Sequence, residues 1–234
     1  LPHLLKDFCI MTFIKAEQGL GHSVIYTDDE GQHFRYYGGT FAWRNHNPGN
    51  IWPGQISKKH GQIGVAFKFA VFPDYESGHL ALLDVLKITY ANSSIYEMMK
   101  IFAPPKENNT KKYIKFLQEA TGVKDERKVK EFTDDQFEKL WKGIELIEGY
   151  KEGNIVQLYK VSRVRMDKKG IISDYYIDAN EWIKQEHCIE LIKQHKIELE
   201  ICMSHLGHIY LRAAPKSLFQ KKLHELIEKK PKEL

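Results

Sequence analysis

The amino-acid sequence predicts an α+β fold, and three observations lead to this prediction. Residues 22–72 are rich in glycine, aromatic and β-branched residues, which favour strands joined by turns. From Glu76 onward the apolar residues recur at helical spacing. After a linker-like stretch at 149–154, the pattern becomes strand–strand–helix–strand–strand. We therefore expect a mainly helical domain with a small β region at 1–152. A small ββαββ domain with a C-terminal helix should follow at 153–234.

Turn and cap residues give the expected elements of the first domain. The spacing of apolar residues predicts a helix over 4–18, and the segment "SVIYTDDEGQHFRYY" predicts a hairpin. The segment "GVAFKFAVF" predicts one further strand. Capping boxes at Ser94/Glu97 and Thr133/Gln136 predict two helix starts, and Gly122 predicts a helix end.

The composition argues against several classes of protein. The net charge of +4 comes from interspersed acids and bases, whereas a nucleic-acid interface needs a concentrated basic stripe. No apolar run reaches the roughly 18 residues that a membrane helix requires. Cys9, Cys188 and Cys202 are widely spaced and predict neither a disulfide framework nor a zinc site. We expect no nucleic-acid partner, no membrane span, and no metal or organic cofactor.

The segment "RNHNPGN", at residues 44–50, concentrates side-chain amides around a Pro-Gly turn. Asparagine stabilises turns by bonding its own backbone, so a purely structural loop is one interpretation. Amides also offer both donors and acceptors, which match sugar hydroxyls and N-acetyl groups. The second interpretation is therefore a loop that binds a glycan, with Trp43 and Trp52 beside it to stack on sugar rings.

Four ordered blocks carry a family resemblance. They are "GGTFAWRNHNPGNI", "HGQIGVAFKFAVFPDYESGHLALLDVL", "IFAPPKENNTKKYIKFLQEATGV" and "LWKGIELIEG", and they span about residues 36–149. They resemble bacterial and phage lysozyme-like proteins that are often attached to toxins, phage particles or secreted effectors. The resemblance implies a lysozyme-like fold and cleavage of the β-1,4 glycan backbone of peptidoglycan, by a muramidase or a lytic transglycosylase. His46 departs from the pattern, since relatives usually have asparagine there.

The second domain resembles a small bacterial domain of unknown function. That resemblance rests on "GIISDYYID", "CIELIKQHKIELEI" and "IYLRA". It implies no activity, so we expect a targeting or adaptor module that binds a secretion-system component or an immunity protein. The resemblances together imply a bacterial protein that acts at the cell wall or periplasm. No signal peptide is visible in the sequence, and a secretion system, a phage particle or host lysis are the delivery routes left open.

Cleavage of a glycosidic bond needs a carboxylic acid that protonates the leaving oxygen. Three glutamates are candidate catalytic residues, and each also has a plain structural interpretation. Glu76 starts a helix, where the dipole favours a carboxylate that serves as base or stabiliser. Glu148 ends a helix, where the dipole favours the protonated form that an acid needs. Glu17 precedes the hairpin that carries Asp28 and Asp29, a pattern similar to the catalytic stretch of phage-type lysozymes.

The candidate substrate-binding residues would line the glycan groove. They are Arg44, Asn45, Asn47, Asn50 and Tyr113. Asn47 is also expected to hold the turn, and Tyr113 is expected either to face the cleft or to pack. The alternative to an enzyme is a non-catalytic wall-binding or particle protein that kept the groove and lost the acid.

Overall fold

The computed structural model of the protein describes residues 12–105, 109–217 and 219–228. The predictions for residues 4–11, for the loop residues 106–108 and for 229–234 lie outside the described residues. The chain divides into two compact units. The first contains the described residues up to Glu17 and Gly38–Gly153. The second contains Gln18–Tyr37 and the described residues from Asn154 onward. The predicted division into domains at residues 152 and 153 stays a prediction, since compactness alone does not show independent folding.

Six α-helices and three strands make up the described part of the first unit. The helices are α1 (Phe41–Arg44), α2 (Gln55–Lys59), α3 (Tyr75–Asp84), α4 (Ile95–Phe102), α5 (Thr110–Thr121) and α6 (Asp134–Glu148). The strands are β1 (Phe13–Gln18), β4 (Gly64–Ala66) and β5 (Phe69–Val71). Helix α3 continues as a π-helical turn, Val85–Thr89. The order of these strands is β5-β4-β1, with β4 parallel to β1 and antiparallel to β5.

The core of the first unit lies among α3, α4, α5 and α6. Its fully buried side chains are apolar and include Leu82, Leu86, Met98, Met99, Leu117, Leu140 and Ile144. The helix ends confirm the predicted caps. Ser94 and Glu97 form a capping box at α4, Thr133 and Gln136 form one at α6, and Gly122 ends α5 in the left-handed conformation. The capping box of Thr133 and Gln136 fixes the start of α6, whose last residue is Glu148.

The second unit consists mainly of strands. They are β2 (Val24–Asp28), β3 (His33–Tyr37), β6 (Asn154–Leu158), β7 (Val161–Met166), β8 (Ile172–Ile177), β9 (Glu181–Lys184), β10 (Leu199–Met203) and β11 (Ile209–Ala213). Strands β2 and β3 form the predicted hairpin, and β6 pairs with the other side of β3. Strands β7, β8 and β9 form one sheet and β10 and β11 another, with helix α7 (Gln185–Lys193) between them along the chain.

The predicted mainly helical, lysozyme-like fold class is wrong. Helix accounts for 35% of the structure and strand for 26%, and each unit contains strands paired in sheets. The described residues therefore form a sheet-rich α+β fold. Residues 13–18 were expected to be helical but form β1, which pairs with β4; its buried residues, Phe13 and Ala16, lie three positions apart, a spacing that also fits a helix.

Three further elements differ from the prediction. The segment predicted as one strand, "GVAFKFAVF", is a hairpin of β4 and β5 with a turn at Phe67 and Lys68. The region predicted as ββαββ contains one strand more than expected, β9. The first of the predicted strands is divided into β6 and β7. In place of the expected C-terminal helix, the described residues form one 3-10 turn, Leu223–Leu226, followed by a bridge from Ile227 to Val164.

Close approach between α3 and the "RNHNPGN" loop depends on Gly78. A Cβ atom at this position would lie 1.9 Å from the carbonyl oxygen of His46. We therefore expect Gly78→Ala to lower the free energy of unfolding by about 3 kcal/mol, because the backbone of the loop has to move. Gly54→Ala is the matched control, since its Cβ would meet no atom within 4 Å and its backbone is extended. It should change stability by less than about 1 kcal/mol. Urea denaturation of both variants checks this, and equal effects would contradict the close contact.

Candidate functional site

The "RNHNPGN" loop is built around the buried side chain of Asn47. Its amide nitrogen donates to the carbonyl oxygens of Ile51 and Ala70, both at 2.9 Å, and its amide oxygen accepts from the backbone N–H of Ile51 at 3.0 Å. Asn47 thus joins both ends of its own turn to strand β5. This hydrogen bonding supports the structural interpretation of Asn47.

His46 fixes the other side of the loop. Its Nδ1 lies 3.2 Å from the carbonyl oxygen of Phe72 and 3.1 Å from that of Pro73, so Nδ1 carries the hydrogen and donates. Burial lowers the pKa of His46, although these two hydrogen bonds and the charge of Asp74 act in the opposite direction. The imidazole is thereby favoured in its neutral form, as a structural donor to the segment that leads into α3.

Arg44 and Asn45 are buried and take no place in the cavity described below. The Arg44 guanidinium donates from Nη1 to the carbonyl oxygens of Gly38 and Gly39, and lies over the ring of Phe41 at 4.6 Å. The Asn45 backbone oxygen accepts from the N–H of Phe72. Neither atom of the Asn45 side-chain amide has a hydrogen-bond partner within the part of the chain that the structure describes.

Asn50 is the loop residue that reaches a candidate catalytic group. Its backbone N–H donates to the Asn47 carbonyl at 2.9 Å, and its φ of 45° places it in the left-handed region that asparagine tolerates. Its side-chain Nδ2 then donates to Oε2 of Glu148 at 2.7 Å. The turn held by Asn47 therefore directs Asn50 toward the end of α6.

Glu148 is held from two sides. Oε2 accepts from Asn50, and Oε1 accepts from the Tyr113 hydroxyl at 2.8 Å. Burial and the neighbouring Glu148 carboxylate raise the pKa of the Tyr113 phenol, which favours the protonated phenol as a donor. Tyr113 is buried in α5, whereas Glu148 is half-buried at the end of α6. These two donors hold the carboxyl group in one orientation.

A cavity of about 520 Å³ opens beside this carboxyl group. Asn50 and Glu148 contribute polar atoms to its wall, and Lys68 contributes a cation. Apolar and aromatic side chains make up much of the remaining wall, namely Trp52, Phe69, Tyr90, Ile101 and Phe102. Trp52 is 66% exposed and Ile101 is 70% exposed, so both can be covered by a ligand. Apolar and aromatic side chains with a few polar groups among them are the usual lining of a small-molecule site.

The other two candidate acids lie elsewhere in the first unit. Glu76 is exposed in the first turn of α3 and does not line the cavity. Glu17 lies in strand β1 and forms a 2.7 Å ion pair with Lys15, so it does not end a helix. Asp28, in the second unit, accepts hydrogen bonds from the N–H groups of Glu30 and Gln32 within its own turn. The structure thus brings together Asn50, Tyr113 and Glu148 from the predicted set.

A second carboxyl group lies one helical turn before Glu148, and sequence analysis did not single it out. Glu145 accepts from the Tyr75 hydroxyl at 2.9 Å and pairs with Nδ1 of His79 at 2.8 Å. The rings of Tyr75 and His79 are stacked with centroids 5.8 Å apart. The spacing of Tyr75 and His79, i to i+4 on one helix face, was the available signal.

Comparison with known proteins gives no family assignment. No protein-family model, curated protein or solved structure matches this chain. Within residues 12–105, 109–217 and 219–228, no three His, Cys, Asp or Glu side chains form a group that could hold a metal ion. No helix in the same ranges is both long and apolar enough to cross a membrane.

Asn47 and Asn50 should respond differently to truncation. Asn47→Ala removes three buried hydrogen bonds, to the N–H and the carbonyl of Ile51 and to the carbonyl of Ala70, so we expect the free energy of unfolding to fall by about 2–4 kcal/mol. Asn50→Gly removes the side chain but keeps the left-handed backbone, and should cost less than about 1 kcal/mol. Urea denaturation of the two variants measures the difference. Equal losses would contradict the assignment of the structural role to Asn47 alone.

His46 should make the protein less stable in mild acid. Because burial lowers the pKa of His46 in the folded state, the unfolded chain binds a proton at His46 below about pH 6.5 more readily than the folded chain does. The stability that neutral His46 contributes is fully present above that pH and is lost as the pH falls toward the folded-state pKa. We expect His46→Asn to weaken the fall in unfolding free energy as the pH drops below about 6.5. Denaturant titrations at several pH values, compared with the exposed His208→Asn, check this. Parallel curves for wild type and His46→Asn would contradict it.

Proposed function

We propose that the first unit is a glycosidase that cleaves the β-1,4 glycan backbone of peptidoglycan, with Glu148 as its acid. The observation that carries this proposal is the pair of hydrogen bonds from Asn50 and Tyr113 to Glu148 at the wall of the cavity. A carboxyl group held by two side chains and open to a cavity can be positioned against a glycosidic oxygen. The resemblance of the four sequence blocks to peptidoglycan-cleaving proteins supports the same proposal.

The number of carboxyl groups in the cavity favours one mechanism over another. Among the described residues that line the cavity, Glu148 is the one carboxylate. Most retaining and inverting hydrolases use a second carboxylate, at roughly 5 Å or roughly 6.5–9.5 Å from the first. A lytic transglycosylase needs one glutamate, because a hydroxyl of the same sugar replaces water. The described cavity therefore favours lytic transglycosylation over hydrolysis.

The proposed reaction uses the carboxyl group of Glu148 twice, first as an acid and then as a base. Protonated Glu148 gives its proton to the leaving glycosidic oxygen, and the bond between that oxygen and C1 breaks. A hydroxyl of the same sugar then bonds to C1, and its proton returns to Glu148. Both oxygens of Glu148 accept a hydrogen bond in the structure. The protonated oxygen keeps a lone pair, so it can donate to the glycosidic oxygen while it still accepts from Asn50 or Tyr113.

The second unit would serve as a targeting or adaptor module in this proposal. Such a module would bring the first unit to the cell wall, where a secretion-system component or an immunity protein would be its partner. Our rationale is the resemblance of its sequence blocks to a small bacterial domain. Its separate apolar core, which includes Val164, Tyr175, Leu191 and Leu199, is consistent with a distinct role.

Replacement of Glu148 should abolish cleavage. We expect Glu148→Gln to reduce the rate of peptidoglycan digestion by about 10²–10⁴-fold, because Gln has a similar shape but no acidic proton. Glu76→Gln and Glu17→Gln are the matched controls and should keep rates close to that of the wild type. Mass spectrometry of the soluble products gives the rates. Anhydro-sugar ends would identify a lytic transglycosylase, and reducing ends a hydrolase.

Two results would contradict the proposal. Equal digestion by the wild type and Glu148→Gln would assign the acid to another residue. If folded wild-type protein releases no products from several wall types, the enzyme proposal fails. Sedimentation with insoluble peptidoglycan in that case would identify the alternative, a non-catalytic wall-binding or particle protein.

A further inference from the structure

Helix α3 ends in an unusual turn that leads to the cavity wall. Its π-helical residues are Val85–Thr89, and a π-helix closes each hydrogen bond over one residue more than an α-helix does. The N–H of Tyr90 donates to the carbonyl oxygen of Val85, five residues back, at 3.2 Å. Turns of this kind are rare and occur frequently at functional sites. Here the first side chain after the turn belongs to Tyr90, which lines the same cavity as Glu148.

The phenol of Tyr90 is buried without a hydrogen-bond partner. The residue is 8% exposed and belongs to the apolar core of the first unit, where its ring meets that of Phe102 edge-on with centroids 6.1 Å apart. Its hydroxyl forms no hydrogen bond with any residue that the structure describes. The hydroxyls of Tyr75 and Tyr113, in the same unit, each donate to a glutamate, at 2.9 Å and 2.8 Å. The Tyr90 hydroxyl therefore serves no internal contact of this kind.

An unpaired hydroxyl at this position lowers stability and gives the fold nothing in return. On burial it loses its hydrogen bonds to water and gains none from the protein, whereas a phenylalanine ring would pack in the same core. Burial also raises the pKa of the Tyr90 phenol, which favours the protonated phenol as a donor. A donor that the fold leaves unused at a cavity wall is available to a molecule inside the cavity.

The wall of the cavity indicates what the Tyr90 hydroxyl could contribute. The wall also contains Ile101, Phe102 and Ala103, whose side chains neither donate nor accept. In small-molecule sites, a few polar groups among apolar ones fix the orientation of the ligand. A phenol hydroxyl in such a wall gives a ligand one directed hydrogen bond to an oxygen acceptor.

We propose that Tyr90 is a further substrate-contacting residue, whose hydroxyl donates a hydrogen bond to an oxygen atom of the glycan in the cavity. This inference rests on the proposed function and adds a residue to it, since Tyr90 holds the sugar whereas Glu148 acts on the glycosidic bond. The Tyr90 phenol keeps its proton throughout. Its hydroxyl is unpaired in the free protein and becomes paired when the glycan binds, so its contribution appears in affinity and not in stability.

Tyr90→Phe tests this inference, because it removes the hydroxyl and keeps the ring in the core. Urea denaturation should show a variant at least as stable as the wild type, since no hydrogen bond of the fold is lost. The KM for peptidoglycan digestion should rise by about tenfold with kcat changed by less than about twofold, as expected when one uniform binding contact is removed. Isothermal titration with a peptide-free peptidoglycan tetrasaccharide should show the same loss of affinity. Both proteins carry Glu148→Gln in the titration, so that no ligand is cleaved.

Tyr96→Phe is the matched control, since it makes the same chemical change in the same unit. Tyr96 lies on α4, is 46% exposed and is not part of the cavity lining. Its hydroxyl therefore needs no partner from the fold or from a ligand in the cavity. We expect this variant to keep the stability, the KM and the affinity of the wild type.

The outcomes distinguish this inference from the function on which it rests. If the wild type digests peptidoglycan and Tyr90→Phe keeps its affinity, the contact is overturned while the proposed function stands. A marked loss of stability in Tyr90→Phe would also overturn it, because the hydroxyl would then serve the fold. If folded wild-type protein neither digests peptidoglycan nor binds the tetrasaccharide, both are overturned. Weaker binding at unchanged or higher stability supports the contact, because a purely structural role would not move affinity alone.

Discussion

The side-chain amide of Asn47 is the interaction on which the candidate site depends. It forms three hydrogen bonds in a fully buried position and ties its turn to Ile51 and to Ala70 of β5. Buried polar groups of this kind are costly when unpaired, so the fully bonded arrangement strongly favours one loop conformation. Because the Asn47 carbonyl also accepts from the N–H of Asn50, the same residue sets the direction of the side chain that contacts Glu148.

Three parts of the first unit then meet at one carboxyl group. The loop supplies Asn50, α5 supplies Tyr113, and the end of α6 supplies Glu148. Each part is fixed independently, by the Asn47 network, by the apolar face of α5 and by the capping box of α6. Regular elements and a hydrogen-bonded loop hold catalytic geometry more closely than a mobile loop would. This arrangement explains how a loop rich in asparagine can be structural at Asn47 and still present one amide to a cavity.

Local signals in the sequence predicted local structure well. The hairpin of β2 and β3, two capping boxes and the Gly122 helix end all depend on residues within a few positions of each other, and the structure confirms them. Strand β1 was mistaken for a helix because its buried residues, Phe13 and Ala16, lie three positions apart, a spacing that also fits one face of a helix. The turn at Phe67 and Lys68 was missed because it lacks the Gly or Asn that usually marks a hairpin.

The site was only partly predictable for a similar reason. Asn50, Tyr113 and Glu148 were each candidates by residue type and local position, but their separations of 98 and 35 residues hid the contacts. No sequence motif pointed to Lys68, since its place at the cavity wall follows from the two-residue turn between β4 and β5. Arg44 and Asn45 were also candidates for substrate binding; both are buried, and their contact with a substrate stays a prediction.

The order of the strands has a consequence for synthesis on the ribosome. The β2–β3 hairpin is made early in the chain, but the strand that pairs with the free side of β3 is β6, after Gly153. At roughly 5–20 residues per second, β6 is completed about 6–24 seconds after β3. Over that interval the nascent chain carries an uncovered strand edge with five residues awaiting partners. Such an edge can pair with a strand of another copy, so the growing chain is most prone to aggregate while α1 through α6 are being translated.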